Sequence, residues 1–313
     1  MMEKLKFKAP FGVPVPVISV SPVNMATFNN RGNELQVRIS APSTGNNLPI
    51  IVFAHGYGQS LDSYAPLVNF WAAHGFVVVQ CTFLDSRRYA IPADDPRTPL
   101  LWKFRVEDVK HMLDELDVIE GYITGLKGRT DRNRIAAVGH SFGAQTTGML
   151  LGARIIQPDG KPGEDLSDDR IKAGVLLTPA GKGGADLSAF AAEHFPFMNP
   201  SYTEMTTPSL VMAGNKDISA LTVRGWEWFT DAYYLSPGAN ALLTLFGAEH
   251  GLGGISGYEA AETTDENPDR VETVAYLSWA YLTSALYPEN NSWSEASKWL
   301  IESANAIGKI DVK

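Results

Sequence analysis

The chain reads as an α/β protein built on a mostly parallel, doubly wound sheet with helices on both faces. Three observations predict this. Short continuous apolar runs rich in β-branched residues recur along the sequence, stretches with helical spacing fall between them, and 313 residues with 44% hydrophobic content suffice to bury one large core.

Taken in order, residues 15–20 and 35–39 read as two early strands. Residues 49–54 (PIIVFA) form an apolar run that stops at Gly56 and Gly58, as a strand buried on both faces would. The same pattern returns at 76–83 (FVVVQCTF), 134–138 (RIAAV), 173–177 (AGVLL), 209–213 (SLVMA) and 241–246 (ALLTLF). Thr98-Pro99 is a good helix opening, and Trp102, Val106, Val109, Leu113, Leu116, Ile123 and Leu126 follow at helical spacings. Asn267-Pro268 opens a second long helix. Ser292 and Glu295 suggest a capping box for the last helix, with Gly308 as its end. Residues 160–169 are polar and turn-rich, a solvated loop without the spacing of a calcium site. The whole of 1–313 is expected to be one domain, in which 181–207, with Phe190, Phe195, Phe197 and Met198 among Gly and Pro, is either a lid-like insertion or a packed connection.

The formal charge of −9 disfavours nucleic acid, whose phosphates an acidic chain repels. No apolar run is long enough to span a membrane. Prolines 10, 14 and 16 interrupt the N-terminal stretch, so no signal peptide is read there. Cys81 is the sole cysteine and lies in an apolar run, where it reads as a small core residue. A cytoplasmic location is therefore expected, with secretion as the alternative if a leader has been removed.

The chemistry points to residues 139–143 (GHSFG). Alone, this pattern equally suits a serine capping a helix in a glycine-rich turn. Here a strand-like run leads into it and a helix-like stretch, 144–153, leaves it. That setting suits a nucleophile held on a sharp turn, with Gly139 and Gly143 letting strand and helix approach. Ser141 is then the nucleophile, and the backbone N–H of Phe142 one oxyanion donor. The second donor is expected from the loop after PIIVFA, His55-Gly56-Tyr57-Gly58-Gln59, with the N–H of Tyr57 as candidate. His140, inside the motif, should point away from the serine and is read as a packing residue or one that supports the site from behind, not as the base.

On parallel sheets that hold a serine on such a strand–turn–helix elbow, the acid and the base follow it in the order Asp or Glu, then His. Only His194 and His250 come later, and His250 directly follows a strand-like run. Asp217 lies just beyond the run 209–213, at the carboxyl end of a strand, where such sheets place their sites. Asp186 is the runner-up for the acid. Tyr57, Trp102, Phe142, Phe195, Phe197 and Trp226 are candidate walls for an apolar substrate.

The stretches PIIVFAHGYGQS, AAHGFVVV, AAVGHSFGAQT, LVMAGNKD and FGAEHGLGGISGY, spread over residues 49–258, carry a resemblance. The chain resembles the chlorophyllase, dienelactone-hydrolase-like and platelet-activating-factor-acetylhydrolase-like group of α/β-hydrolases, with bacterial cutinase-type hydrolases as more distant relatives. The resemblance implies a Ser–Asp–His triad of Ser141, Asp217 and His250, Tyr57 and Phe142 as oxyanion donors, and neither metal nor organic cofactor. The expected reaction is hydrolysis of an uncharged carboxylic ester with an apolar acyl or alcohol part. A thioester, lactone or carbon–carbon bond on the same triad is the alternative, and a non-catalytic binding protein is the reading of another class. One departure bears on this. Secreted cutinase-type enzymes usually carry a disulfide, which Cys81 alone cannot form within the chain, and this argues against secretion and polyester degradation.

Overall fold

The computed structural model of the chain describes residues 14–257, 263–302 and 306–313. Its strands, in chain order, are β1 (Val17–Met25), β2 (Leu35–Pro42), β3 (Leu48–Ala54), β4 (Val77–Cys81), β5 (Thr130–His140), β6 (Arg154–Ile155), β7 (Ile171–Leu177), β8 (Pro200–Ser201), β9 (Ser209–Gly214), β10 (Ala239–Leu245) and β11 (Gly308–Val312). Nine of them form one sheet in the order β1-β2-β4-β3-β5-β7-β9-β10-β11, while β6 and β8 pair separately. The six from β4 to β10 run parallel, and the added strands β2 and β11 pair antiparallel at either side.

The apolar runs become central strands because both faces of the sheet are covered. Every residue of β3 is buried. Ile50, Val52 and Ala54 face a cluster made with α2 (Leu101–Asp114), α3 (Leu116–Glu120) and α4 (Phe142–Leu150). Ile51 and Phe53 face the opposite cluster, made with α1 (Ala65–Ala73), α7 (Pro268–Leu286) and α8 (Ser292–Glu302). Each such Ile or Val contributes roughly 1.5–3 kcal/mol by leaving water. Cys81 is sealed in the first cluster, and burial pushes its thiol up.

Three boundary expectations are corrected. The helix expected from Thr98 through Leu126 is one 3-10 turn (Thr98–Leu100) followed by α2 and α3, which divide at Glu115. Ile123 and Leu126 are buried, but in the turns beyond, so their spacing reported burial and not helix. Ser292 does not cap α8. It is the helix's first residue, its N–H is taken by Asn290 Oδ1, and Glu295 bonds Asn291 Nδ2 instead. Gly308 does not end that helix but opens β11, which pairs with the otherwise free side of β10. Lys309-Ile310-Asp311-Val312 alternates polar and β-branched apolar residues as an edge strand does, but over only four residues, and the open edge of β10 gives it a partner. Asn267 does cap α7, its Oδ1 accepting the Arg270 N–H at 3.1 Å. The acidic segment 259–268 (EAAETTDENP) is expected from the sequence to lead into that helix, and its residues 259–262 lie outside the described residues. Among the described residues, no helix is long and apolar enough to cross a membrane.

The winding sets the site. From β3 the chain passes to β4 on one side and then to β5 on the other, so the direction of winding reverses between β3 and β5. In open parallel sheets a crevice forms beyond the carboxyl ends of two such strands. Here those ends are Ala54 and His140.

Candidate active site

Ser141 stands between β5 and α4 with φ +56° and ψ −120°, a backbone conformation that costs a non-glycine residue energy. The turn is held from all sides. Ser141 N–H donates to Leu177 O at 2.9 Å, and the N–H groups of Ala144 and Gln145 donate to Ser141 O. A Cβ on Gly139 would strike the Gly143 carbonyl, and one on Gly143 would strike the Ala54 carbonyl at the end of β3. Strand, turn and helix therefore meet closer than any other residue permits. Phe142 is the first residue of α4, so its N–H has no acceptor within the helix and lies at its positive end.

His250 follows β10 and reaches back over the turn. Its Nε2 lies 2.9 Å from Ser141 Oγ, and its Nδ1 lies 2.8 Å from Asp217 Oδ2. A carboxylate only accepts, so Nδ1 carries the proton and Nε2 is free to accept from the serine hydroxyl. Asp217, just past β9, is fully buried, whereas the His250 side chain keeps 42% of its exposure. The imidazole is thus held from behind and open in front. The Phe229 ring packs on it, with centroids 5.4 Å apart.

Asp186 lies elsewhere. Its carboxylate accepts from Arg224 at 3.0 Å, and Arg224 also bridges to Asp231. It ties the segment after β7 to the segment after β9, and Asp217 occupies the position behind His250.

Asp265 was not singled out in the sequence. Its Oδ2 accepts from the N–H groups of Glu249 and Gly253, on either side of His250, at 2.8 and 3.1 Å. The acidic stretch before α7 therefore holds the histidine loop.

The loop after β3 is braced from below. His55 Nδ1–H donates to Gly56 O at 2.7 Å, while its Nε2 accepts the Phe83 N–H at 3.1 Å. The N–H of Gly58 donates to Asp85 Oδ2 at 3.1 Å. Arg105, from α2, donates to Asp85 Oδ1 at 2.6 Å, to Thr146 Oγ1 at 3.0 Å and to the His55 carbonyl. Its guanidinium lies over the rings of Phe83 and Phe142, 4.0 and 4.6 Å from their centroids. Asp85 and Arg105 carry no motif and sit in unremarkable stretches, so only their burial together gives them away.

The sequence matches the α/β-hydrolase family over residues 51–294. The chain belongs to that family. Within it, the chain is 29% identical over 171 residues to a platelet-activating factor acetylhydrolase of Cavia porcellus, covering 44% of this chain and 36% of that one. It is 26% identical over 210 residues to cutinase est2 of Thermobifida alba (67% and 55% of the two chains). It is 24% identical over 158 residues to chlorophyllase type 0 of Chenopodium album (45% and 40%). These relatives are hydrolases, and the aligned parts span about a third to a little over half of their lengths.

In this α/β-hydrolase, four of the expected aromatic walls form one cluster. The Phe197 ring lies 5.6 Å from Phe142, 6.0 Å from Phe195 and 6.4 Å from Trp102. Tyr57, 59% exposed, stands 6.2 Å from Phe142. Phe195 and Phe197 belong to the segment 181–207, which holds a 3-10 turn (Gly184–Asp186), α5 (Ala189–His194) and β8. Gln145 Nε2 donates to Phe197 O at 3.0 Å and fastens that segment to α4. Trp226 begins the 3-10 turn Trp226–Thr230, which runs into α6 (Asp231–Leu235), and is half-buried; the ring of that turn that meets His250 is Phe229.

Proposed function

We propose that the protein is a serine carboxylic-ester hydrolase acting on uncharged esters with an apolar acyl or alcohol part. The observation that carries this reading is the bridge made by His250, 2.9 Å from Ser141 Oγ and 2.8 Å from Asp217 Oδ2. In the first step His250 Nε2 takes the hydroxyl proton as Ser141 Oγ attacks the ester carbonyl. Negative charge collects on the carbonyl oxygen, where the N–H groups of Tyr57 and Phe142 receive it. The C–O bond to the alcohol breaks, and the imidazolium returns its proton to the leaving oxygen. Water then attacks the acyl carbon as it loses a proton to His250, the bond from that carbon to Ser141 Oγ breaks, and the imidazolium returns the proton to Oγ, freeing the acid. Asp217 holds the Nδ1–H tautomer throughout and balances the transient positive charge.

The aromatic residues beside the serine support this substrate class. Trp102, Phe142, Phe195 and Phe197 offer ring faces to an acyl or alcohol chain, and segment 181–207 supplies one wall. The test is labelling of the full chain with a fluorophosphonate probe, together with turnover of aryl and alkyl esters of graded chain length. Labelling that is abolished by Ser141→Ala, with ester turnover lost in parallel, is expected. Labelling that survives Ser141→Ala, or none at all, would overturn the assignment.

A further inference from the structure

The two loops that carry Tyr57 and His250 are joined by a chain of hydrogen bonds that ester hydrolysis, as written above, does not use. Gly56 N–H donates to Tyr64 Oη at 3.0 Å. Tyr64 Oη lies 2.7 Å from His140 Nδ1, and His140 Nε2 lies 2.8 Å from the His250 carbonyl. The direction follows by elimination. A carbonyl only accepts, so His140 Nε2 carries the proton. In a neutral ring Nδ1 then accepts, so the tyrosine O–H donates to it. The ring is neutral because burial, with a second imidazole, His250, close enough to repel a shared positive charge, pushes its pKa down to about 3.

The arrangement is costly to build. Tyr64 is 1% exposed and holds φ +66°, a left-handed backbone unusual for a bulky residue, at the start of α1. Its own N–H donates to Ser256 O at 2.9 Å, in the loop that follows His250. A Cβ on Gly56 would stand 2.9 Å from the Tyr64 hydroxyl and 3.4 Å from His140 Nδ1, so the hydroxyl fills the space a side chain there would need. Gly56 is therefore fitted to Tyr64 as much as to its own turn.

The sheet leaves a gap that this chain closes. The oxyanion loop leaves β3 and the histidine loop leaves β10, and β5, β7 and β9 lie between them. Strand pairing does not set such a separation to tenths of an ångström, yet donor and base must both meet one reacting carbonyl. A misplacement of about 1 Å can cost roughly a hundredfold in rate. We infer that Tyr64 and His140 are positioning residues, a buried strut that sets the spacing between the Tyr57 oxyanion donor and the His250 imidazole. The inference rests on the serine-hydrolase reading of the same site.

Three variants test it: Tyr64→Phe, His140→Leu and His140→Gln. Kinetics on a short aryl ester, the rate of fluorophosphonate labelling and thermal melting are measured for each. Tyr64→Phe and His140→Leu should lower both kcat and labelling rate about 10- to 100-fold, with KM changed less than about threefold. The Gln amide can accept from Tyr64 and donate to the His250 carbonyl, so His140→Gln should stay within about fivefold of the parent. A role in stability alone would lower the melting temperature and leave kcat of the folded enzyme alone. The strut is overturned if the parent is labelled and the folded Tyr64→Phe and His140→Leu variants match its kcat, or if His140→Gln is as impaired as His140→Leu. Should His140→Leu not fold, Tyr64→Phe and His140→Gln decide between them. A parent that takes no label overturns the hydrolase reading itself, and the strut with it.

Discussion

Arg105 donates to Asp85 Oδ1 at 2.6 Å, and both side chains are shut off from water. An isolated buried ion pair seldom repays its desolvation, so this one needs further partners. It has them on either side of Tyr57: Arg105 holds the His55 carbonyl, and Asp85 holds the Gly58 N–H. The pair thus grips the backbone whose N–H is proposed to meet the oxyanion.

Arg105→Met should cost about 3–5 kcal/mol, because Asp85 would be left as an unpaired buried charge. It should also lower kcat by roughly tenfold or more through a loosened donor loop. Arg105→Met with Asp85→Leu should recover part of the stability but none of the activity, since His55 O and Gly58 N–H still lack partners. Urea melts and ester kinetics on the three proteins read both effects. Parent-like kcat in Arg105→Met would remove the proposed link to catalysis.

The two candidate acids make opposite predictions. Asp217→Asn should lower kcat by about 10⁴-fold, because the amide no longer holds the Nδ1–H tautomer of His250. Asp186→Asn removes only a partly exposed partner of Arg224, worth about 0–1 kcal/mol, and should leave kcat within about twofold. The reverse pattern would reassign the acid.

The aromatic cluster should select by chain length. Phe197→Ala and Trp102→Ala remove rings that stack with each other, with centroids 6.4 Å apart. Each should raise KM for long-chain or aryl esters by about tenfold, roughly 1.4 kcal/mol. Acetate esters, too short to reach the rings, should change less than about twofold. Equal losses on short and long substrates would place the acyl chain elsewhere.

His140 predicts a pH dependence of stability. Its pKa is pushed from 6.5 to about 3 by burial in the native protein, so between these values the unfolded chain holds a proton that the native one lacks. Its contribution is fully present above pH 6.5 and is lost as pH falls toward 3. The slope is at most about 1.4 kcal/mol per pH unit. His140→Gln has no such titration, so its stability should fall less steeply from pH 6.5 to 5. The difference between the two melting series isolates this ring, and identical slopes would mean that it takes up a proton while still folded.

Much of the fold was legible because its central strands are buried on both faces and therefore appear as unbroken apolar runs, as PIIVFA does for β3. The edge strand β11 reads as the end of a helix instead: its alternation, Lys309-Ile310-Asp311-Val312, is only four residues long, and the free side of β10 that it pairs with is not written in that segment. The long helix failed at Glu115 for a related reason: Ile123 and Leu126 satisfy helical spacing, yet turns bury them equally well.

By itself, the sequence determined the parallel sheet, the glycine-framed turn at Ser141, and the presence after it of two candidate acids, Asp186 and Asp217, followed by His250. These depend on local residues: glycines where backbones touch, and apolar runs where strands are covered. Only the tertiary structure decided between Asp217 and Asp186 as the carboxylate behind His250. It also disclosed the Arg105–Asp85 pair, the Asp265 anchor and the Tyr64–His140 chain. Each joins residues separated along the chain through a few hydrogen bonds in a largely buried place. No periodicity or spacing encodes such a contact, because its energy arises only when folding has removed the water between its partners.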